Sequence, residues 1–77
     1  MKSMNIDYWK ECYNTLWWIW EFNIDEGTGS IIGHSKNSIK GKGKRILNPL
    51  EYKIQIDNGA SHTLDHITEE EAFMELL

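Results

Sequence analysis

Seventy-seven residues, 40% of them hydrophobic and 26% charged, provide for one domain with one hydrophobic core and exclude both a second domain and the apolar-poor composition of intrinsic disorder. The single cysteine, Cys12, rules out an intramolecular disulfide, no apolar run reaches the roughly 18 residues that span a bilayer, and the N-terminus does not read as a secretory leader, so the expected compartment is a reducing cytoplasm. The net charge of -4 is unevenly spread: residues 27–50 hold five bases (Lys36, Lys40, Lys42, Lys44 and Arg45) and no acid, which leaves -9 on the remainder.

In chain order, Trp9, Cys12, Tyr13, Leu16, Trp17 and Trp20 follow the i, i+3, i+4, i+7 spacing of a helical stripe and predict an N-terminal helix from about Ile6. From Trp18 onward the aromatic and β-branched residues alternate with others as in a strand, so the switch from helix to strand is placed near residues 15–17. Asp25-Glu26-Gly27-Thr28-Gly29 supplies glycines for a tight reversal and predicts a hairpin between strands near 18–24 and 30–35. Residues 35–49 read as a long basic flexible loop. Beyond Pro49 a strand is expected over 50–56, with Tyr52, Ile54 and Ile56 on one side. Asn58-Gly59 then predicts a turn into a partner strand over 60–64. Thr68 with Glu71 three residues later forms a capping box, predicting a short C-terminal helix from Glu69 that docks Ala72, Phe73, Leu76 and Leu77.

The stretches GTGSIIGHS and YKIQIDNGASHTLDHITEEE carry a Gly27-x-Gly29-x-Ile31 phrase and a Tyr52-x-Ile54-x-x-Asp57-x-Gly59 phrase. Over roughly residues 27–71 the chain resembles SH3-like small barrels of the Tudor and KOW kind. That resemblance implies a small barrel of about five short strands, and a module that binds proteins or nucleic acids. No aromatic cage for methyl-lysine can be placed on this sequence, and the aromatic N-terminal segment lies outside the family pattern. The fold expected is thus α+β: an SH3-like barrel or a strongly twisted antiparallel sheet of four to five strands, with an N-terminal and a C-terminal helix.

No catalytic, cofactor or metal signature emerges. His62, Asp65 and His66, with His34, are metal-ligand types, but in a strand-and-loop setting they read as surface histidines. Cys12 lacks any marked base, orienting group or oxyanion site, and on an apolar stripe it is a small buried hydrophobe. Glu69 to Glu71 suit a helix N-terminus, and the glycines of GTGSIIG and GKGK lack the strand-to-helix context of phosphate-binding loops.

Two surfaces carry the functional expectations. Trp17 and Trp18 are adjacent and point to opposite faces of a strand or about 100° apart on a helix, so one small core cannot take both. Trp17, Trp18, Trp20 and Tyr13 are therefore the candidate protein-binding residues, weighed against a core covered on both faces by the two terminal helices. Lys40, Lys42, Lys44 and Arg45, interleaved with glycine, are the candidate nucleic-acid or anion-binding residues, weighed against a solvated loop. Ten isoleucines, and seven lysines against one arginine, are the usage of an AT-rich genome. The leading expectation is a non-enzymatic phage or mobile-element accessory protein that inhibits a host defence or nucleic-acid-handling protein. The alternatives are a nucleic-acid-binding module and a homo-oligomer that buries its own tryptophans.

Overall fold

The computed structural model describes residues 5–37, 43, 45–56 and 61–77. Strands β1 (Ile6–Tyr13) and β2 (Leu16–Asn23) are rich in aromatic side chains, which suit extended backbone. They pair antiparallel from Ile6 opposite Asn23 to Tyr13 opposite Leu16, across a two-residue turn in which Asn14 takes a φ of +55°. The expected helix from Ile6 is thereby corrected. Trp9, Cys12 and Tyr13 imitate a helical stripe because β1 carries bulky side chains on both faces, and a strand covered on both sides shows no clean polar alternation.

The second hairpin matches expectation. Strand β3 (Thr28–His34) pairs antiparallel with β2. In the turn between them the Asn23 side chain accepts the Glu26 N–H at 3.1 Å, and Gly27 adopts a φ of +68°. Within the segment expected to be loop, strand β4 (Arg45–Ile46) pairs with the start of β3, while residues 38–42 and 44 lie outside the described residues.

The expected strand over 50–56 is corrected to a helix, α1 (Pro49–Ile56). Asn48 caps it: its side-chain Oδ1 accepts the N–H groups of Leu50 at 2.9 Å and Glu51 at 3.3 Å, and Pro49 sits at the first helical position, where its missing donor costs nothing. Strand β5 (His62–Ile67) pairs antiparallel with β1 and not with residues 50–56; the predicted Asn58-Gly59 turn lies outside the described residues. Helix α2 (Glu69–Glu75) begins at Thr68 with the expected reciprocal bonds, Glu71 N–H to Thr68 Oγ1 and Thr68 N–H to Glu71 Oε1, both 3.1 Å.

The result is an α+β fold around a five-stranded antiparallel sheet of order β4-β3-β2-β1-β5. Among the described residues its edge strands β4 and β5 do not pair, so the sheet is open. Strand parity and register put Trp9, Glu11, Trp18, Trp20, Phe22 and Leu64 on one face, where Leu47, Tyr52 and Ile56 pack against them. Tyr8, Lys10, Trp17 and Ile19 take the other face, under α2: Phe73 meets the edge of Tyr8 at 5.7 Å, Glu75 pairs with Lys10 at 2.6 Å, and Leu76 lies directly over Gly33. Neither helix is long and apolar enough to cross a membrane.

Candidate functional site

The aromatic segment divides between the two faces. Trp20 is only 2% exposed and belongs to the core, stacked on Phe22 at 5.5 Å and tilted against Tyr52 at 5.5 Å. Trp18 is partly buried against the same cluster. Tyr13 is exposed at the end of β1, edge-on to His62 at 5.0 Å. Trp17 is alone of the four in facing α2, with the Lys10 ammonium 5.5 Å from its ring centre. That ammonium is also paired with Glu75, so ring, cation and carboxylate form one stack.

Beside Trp17 an open groove of about 530 Å³ runs between the end of β3 and the C-terminal end of α2, its walls including Ile32, Gly33, Lys36 and Leu76. A break in the β2–β3 register shapes it. Ile19 pairs with Gly33 and Trp20 with Ile31, leaving Ile32 as the extra residue of a β-bulge. Bulges redirect side chains, and this one contributes Ile32 to the groove. Gly33 keeps the wall low enough for Leu76 to lie against the strand.

On the opposite face a buried carboxylate that the sequence reading did not single out, Glu11, gathers three polar groups around it. Glu11, 6% exposed, accepts from Trp20 Nε1 at 2.8 Å and from the Tyr52 hydroxyl, which stands 2.9 Å from each of its oxygens. His62 Nε2 lies 2.7 Å from Glu11 Oε2. Burial, and then the Glu11 carboxylate, push the Tyr52 hydroxyl well above the usual tyrosine range, because both oppose a phenolate there. The network ties β1, β2, β5 and α1 together at one point, and its donors satisfy a charge that would otherwise be costly to bury. The available signal was parity: in a strand, Glu11 shares its face with Trp9 and Tyr13.

The remaining candidates stand apart. Lys40, Lys42 and Lys44 lie outside the described residues, and Arg45 is exposed on β4. His66 stacks on Trp9 at 4.9 Å with Asp7 3.8 Å away, Asp65 is exposed, and Cys12 is half-buried. Among the described residues no three His, Cys, Asp or Glu side chains converge as a metal site. The Trp9 indole N–H is buried with no acceptor among the described residues. No protein-family model matches the chain, and no curated protein or solved structure does.

Proposed function

We propose that this protein is a small non-enzymatic interaction domain that docks onto a partner protein through the groove beside Trp17. The observation that carries the proposal is the placement of Trp17: a large ring that stays out of the core and lines an open recess of mixed character, flanked by a bulged Ile32 and Leu76 on its apolar side and by His34, Lys36 and Glu75 on its polar side. A tryptophan held in place by Lys10 loses little freedom on binding and offers a wide contact area, the combination found at interface hot spots. Within the sequence-derived set the contact passes to Trp17; Tyr13 stands on the opposite face beside His62 and lies outside this contact, and Trp18 and Trp20 act through the core that supports it.

The setting proposed is that of a phage or mobile-element accessory protein inhibiting a host defence or nucleic-acid-handling protein, supported by the AT-rich residue usage and the small acidic chain. An SH3-like character belongs to the same proposal, supported by five short antiparallel strands in which the last returns beside the first.

The test is capture of a partner from host lysate by tagged protein, compared with Trp17→Ala at matched melting temperature. Loss of that partner with Trp17→Ala, and its retention with Ile24→Ala on the far turn, is the expected result. Retention with Trp17→Ala overturns the proposal. Salt-steep oligonucleotide binding that disappears when Lys40, Lys42, Lys44 and Arg45 become Ala would replace it with the nucleic-acid reading.

A further inference from the structure

Between α2 and the strands β1 and β5, two recesses of about 540 and 180 Å³ abut. Asp7, Tyr8 and Glu69 are among the walls of the larger, and Lys10, Met74 and Glu75 are among those of the smaller. Ile67 and Glu71 line both, which makes the two one furrow along the helix. It shares only Glu75 with the groove beside Trp17.

Four carboxylates line this furrow: Asp7, Glu69, Glu71 and Glu75. Its lysine, Lys10, is already held by Glu75 at 2.6 Å, and its histidine, His66, stands 3.8 Å from Asp7. Glu69 and Glu71 are exposed, and neither meets a cation among the described residues. With Glu21, Glu69 also opposes ionisation of the Tyr8 hydroxyl, so the negative field reaches the floor beneath α2. Among these charges lies an apolar strip, the half-buried Ile67 and a Met74 that is 71% exposed. One exposed methionine is an ordinary surface feature; a methionine that shares a furrow with unpaired carboxylates specifies a ligand chemistry.

Charge complementarity selects among possible occupants. An acidic or wholly apolar partner would cover Glu69 and Glu71 without a counter-charge, and nucleic acid would be repelled. A metal ion or a polyamine would meet the carboxylates but leave Met74 in water. A polypeptide segment that carries an aliphatic side chain between lysines or arginines satisfies both.

We propose that the furrow beside α2 is a second docking surface, which takes a basic segment of a partner protein. An aliphatic side chain of that segment packs on Met74 and Ile67, and the flanking cations pair with Glu69 and Glu71. Because neither Trp17 nor Ile32 takes part, this surface and the Trp17 groove stand or fall separately.

Fluorescence anisotropy tests it with a labelled peptide of about ten residues, long enough when extended to pass the helix, in which lysine alternates with serine around a central leucine. The expected result is binding at about 100 µM or tighter in about 0.05 M salt, weakened about tenfold in about 0.3 M salt. Replacing its lysines by glutamate should abolish binding, and replacing its leucine by serine should weaken it about fivefold. Glu69→Lys and Met74→Ser should each weaken it about fivefold or more. Trp17→Ala should change it less than about twofold, as should Glu51→Lys, which makes the same charge change on α1 across the sheet. Both furrow positions are exposed, and unchanged circular dichroism checks folding; should Glu69→Lys fail, Met74→Ser and the peptide comparisons decide. Absence of binding at about 1 mM overturns the proposal. So does Glu51→Lys weakening binding as much as Glu69→Lys, which reduces the effect to net charge, or indifference to both Met74→Ser and the loss of leucine, which reduces it to bare cation binding. Self-association in sedimentation velocity that Glu69→Lys abolishes also overturns it, by making a second copy of this chain the occupant.

Discussion

At Glu11 a single side chain sets the chemistry of the inner face. Its carboxylate holds the Tyr52 hydroxyl, and that hydroxyl is consequently harder to ionise in the folded chain than in the unfolded one, whose tyrosines titrate near 10. A folded-state value raised above the unfolded one gives stability that is whole below about pH 10 and drains away as the pH climbs through the raised value, at no more than about 1.4 kcal/mol per pH unit for one proton. Tyr8, raised by burial and by the Glu21 and Glu69 carboxylates, acts in the same sense. Urea midpoints from pH 8 to 11.5 should therefore fall for the natural chain and fall less for Tyr52→Phe, so that the gap between the two narrows as pH rises. A constant gap would show that the bond to Glu11 is not what holds the proton.

Asn14 is the other residue whose identity is dictated locally. A φ of +55° costs an ordinary L-residue about 1–2 kcal/mol, and asparagine is among the few that bear it readily. Asn14→Val should lower stability by about that amount in chemical denaturation, whereas Asn14→Gly should be close to neutral. The pair separates backbone conformation from loss of the side chain, since both replacements remove the amide.

At the scale of elements, legibility followed the local signals. The Thr68–Glu71 box and the Asp25–Gly29 turn are written in neighbouring residues, and both appear where the sequence places them. Strand β1 and helix α1 were misread for one physical reason. Each bears apolar groups on two sides, β1 because helices cover both faces of the sheet, and α1 because Leu50 and Ile54 stay exposed, so periodicity alone could not separate 3.6 from 2.0. For α1 the deciding signal was present in Asn48-Pro49, a cap followed by a first-turn proline, and it was outweighed by the alternation of Tyr52, Ile54 and Ile56. The Trp17 groove was legible only in part: adjacency predicted that Trp17 and Trp18 would separate, but the β-bulge at Ile32 and the seat of Leu76 depend on distant contacts. Gly29 shows such a contact within the sheet. A Cβ there would stand 2.6 Å from the buried Phe22 ring across the strand pair, so Gly29→Ala should cost about 1–3 kcal/mol in thermal or chemical melts. Gly33→Ala, where only the flexible end of Leu76 must move, should cost less.

For the whole molecule, an open sheet raises the question of what stops chains from adding to its edges. Along β4 the strand is two residues long, too short to template much pairing. Along β5 the answer follows from register. Asn14 donates to the Ser61 carbonyl at 3.0 Å, and since bonded and non-bonded pairs alternate in an antiparallel ladder, the Leu64–Glu11 pair is a non-bonded one. The Leu64 carbonyl therefore faces outward, along the edge a second strand would use. Lys53 reaches from α1 and donates to it at 2.7 Å, occupying the acceptor and placing a cation on the edge. Lys53→Met keeps the aliphatic stem over the sheet but removes both protections, so it should lower the concentration at which light scattering detects assembly several-fold while leaving the melting temperature of dilute protein nearly unchanged. Lys53→Arg, which preserves charge and donor, should behave as the natural chain does. An edge that stays silent in Lys53→Met would mean that the charge of the whole chain, -4, is enough to keep copies from pairing there.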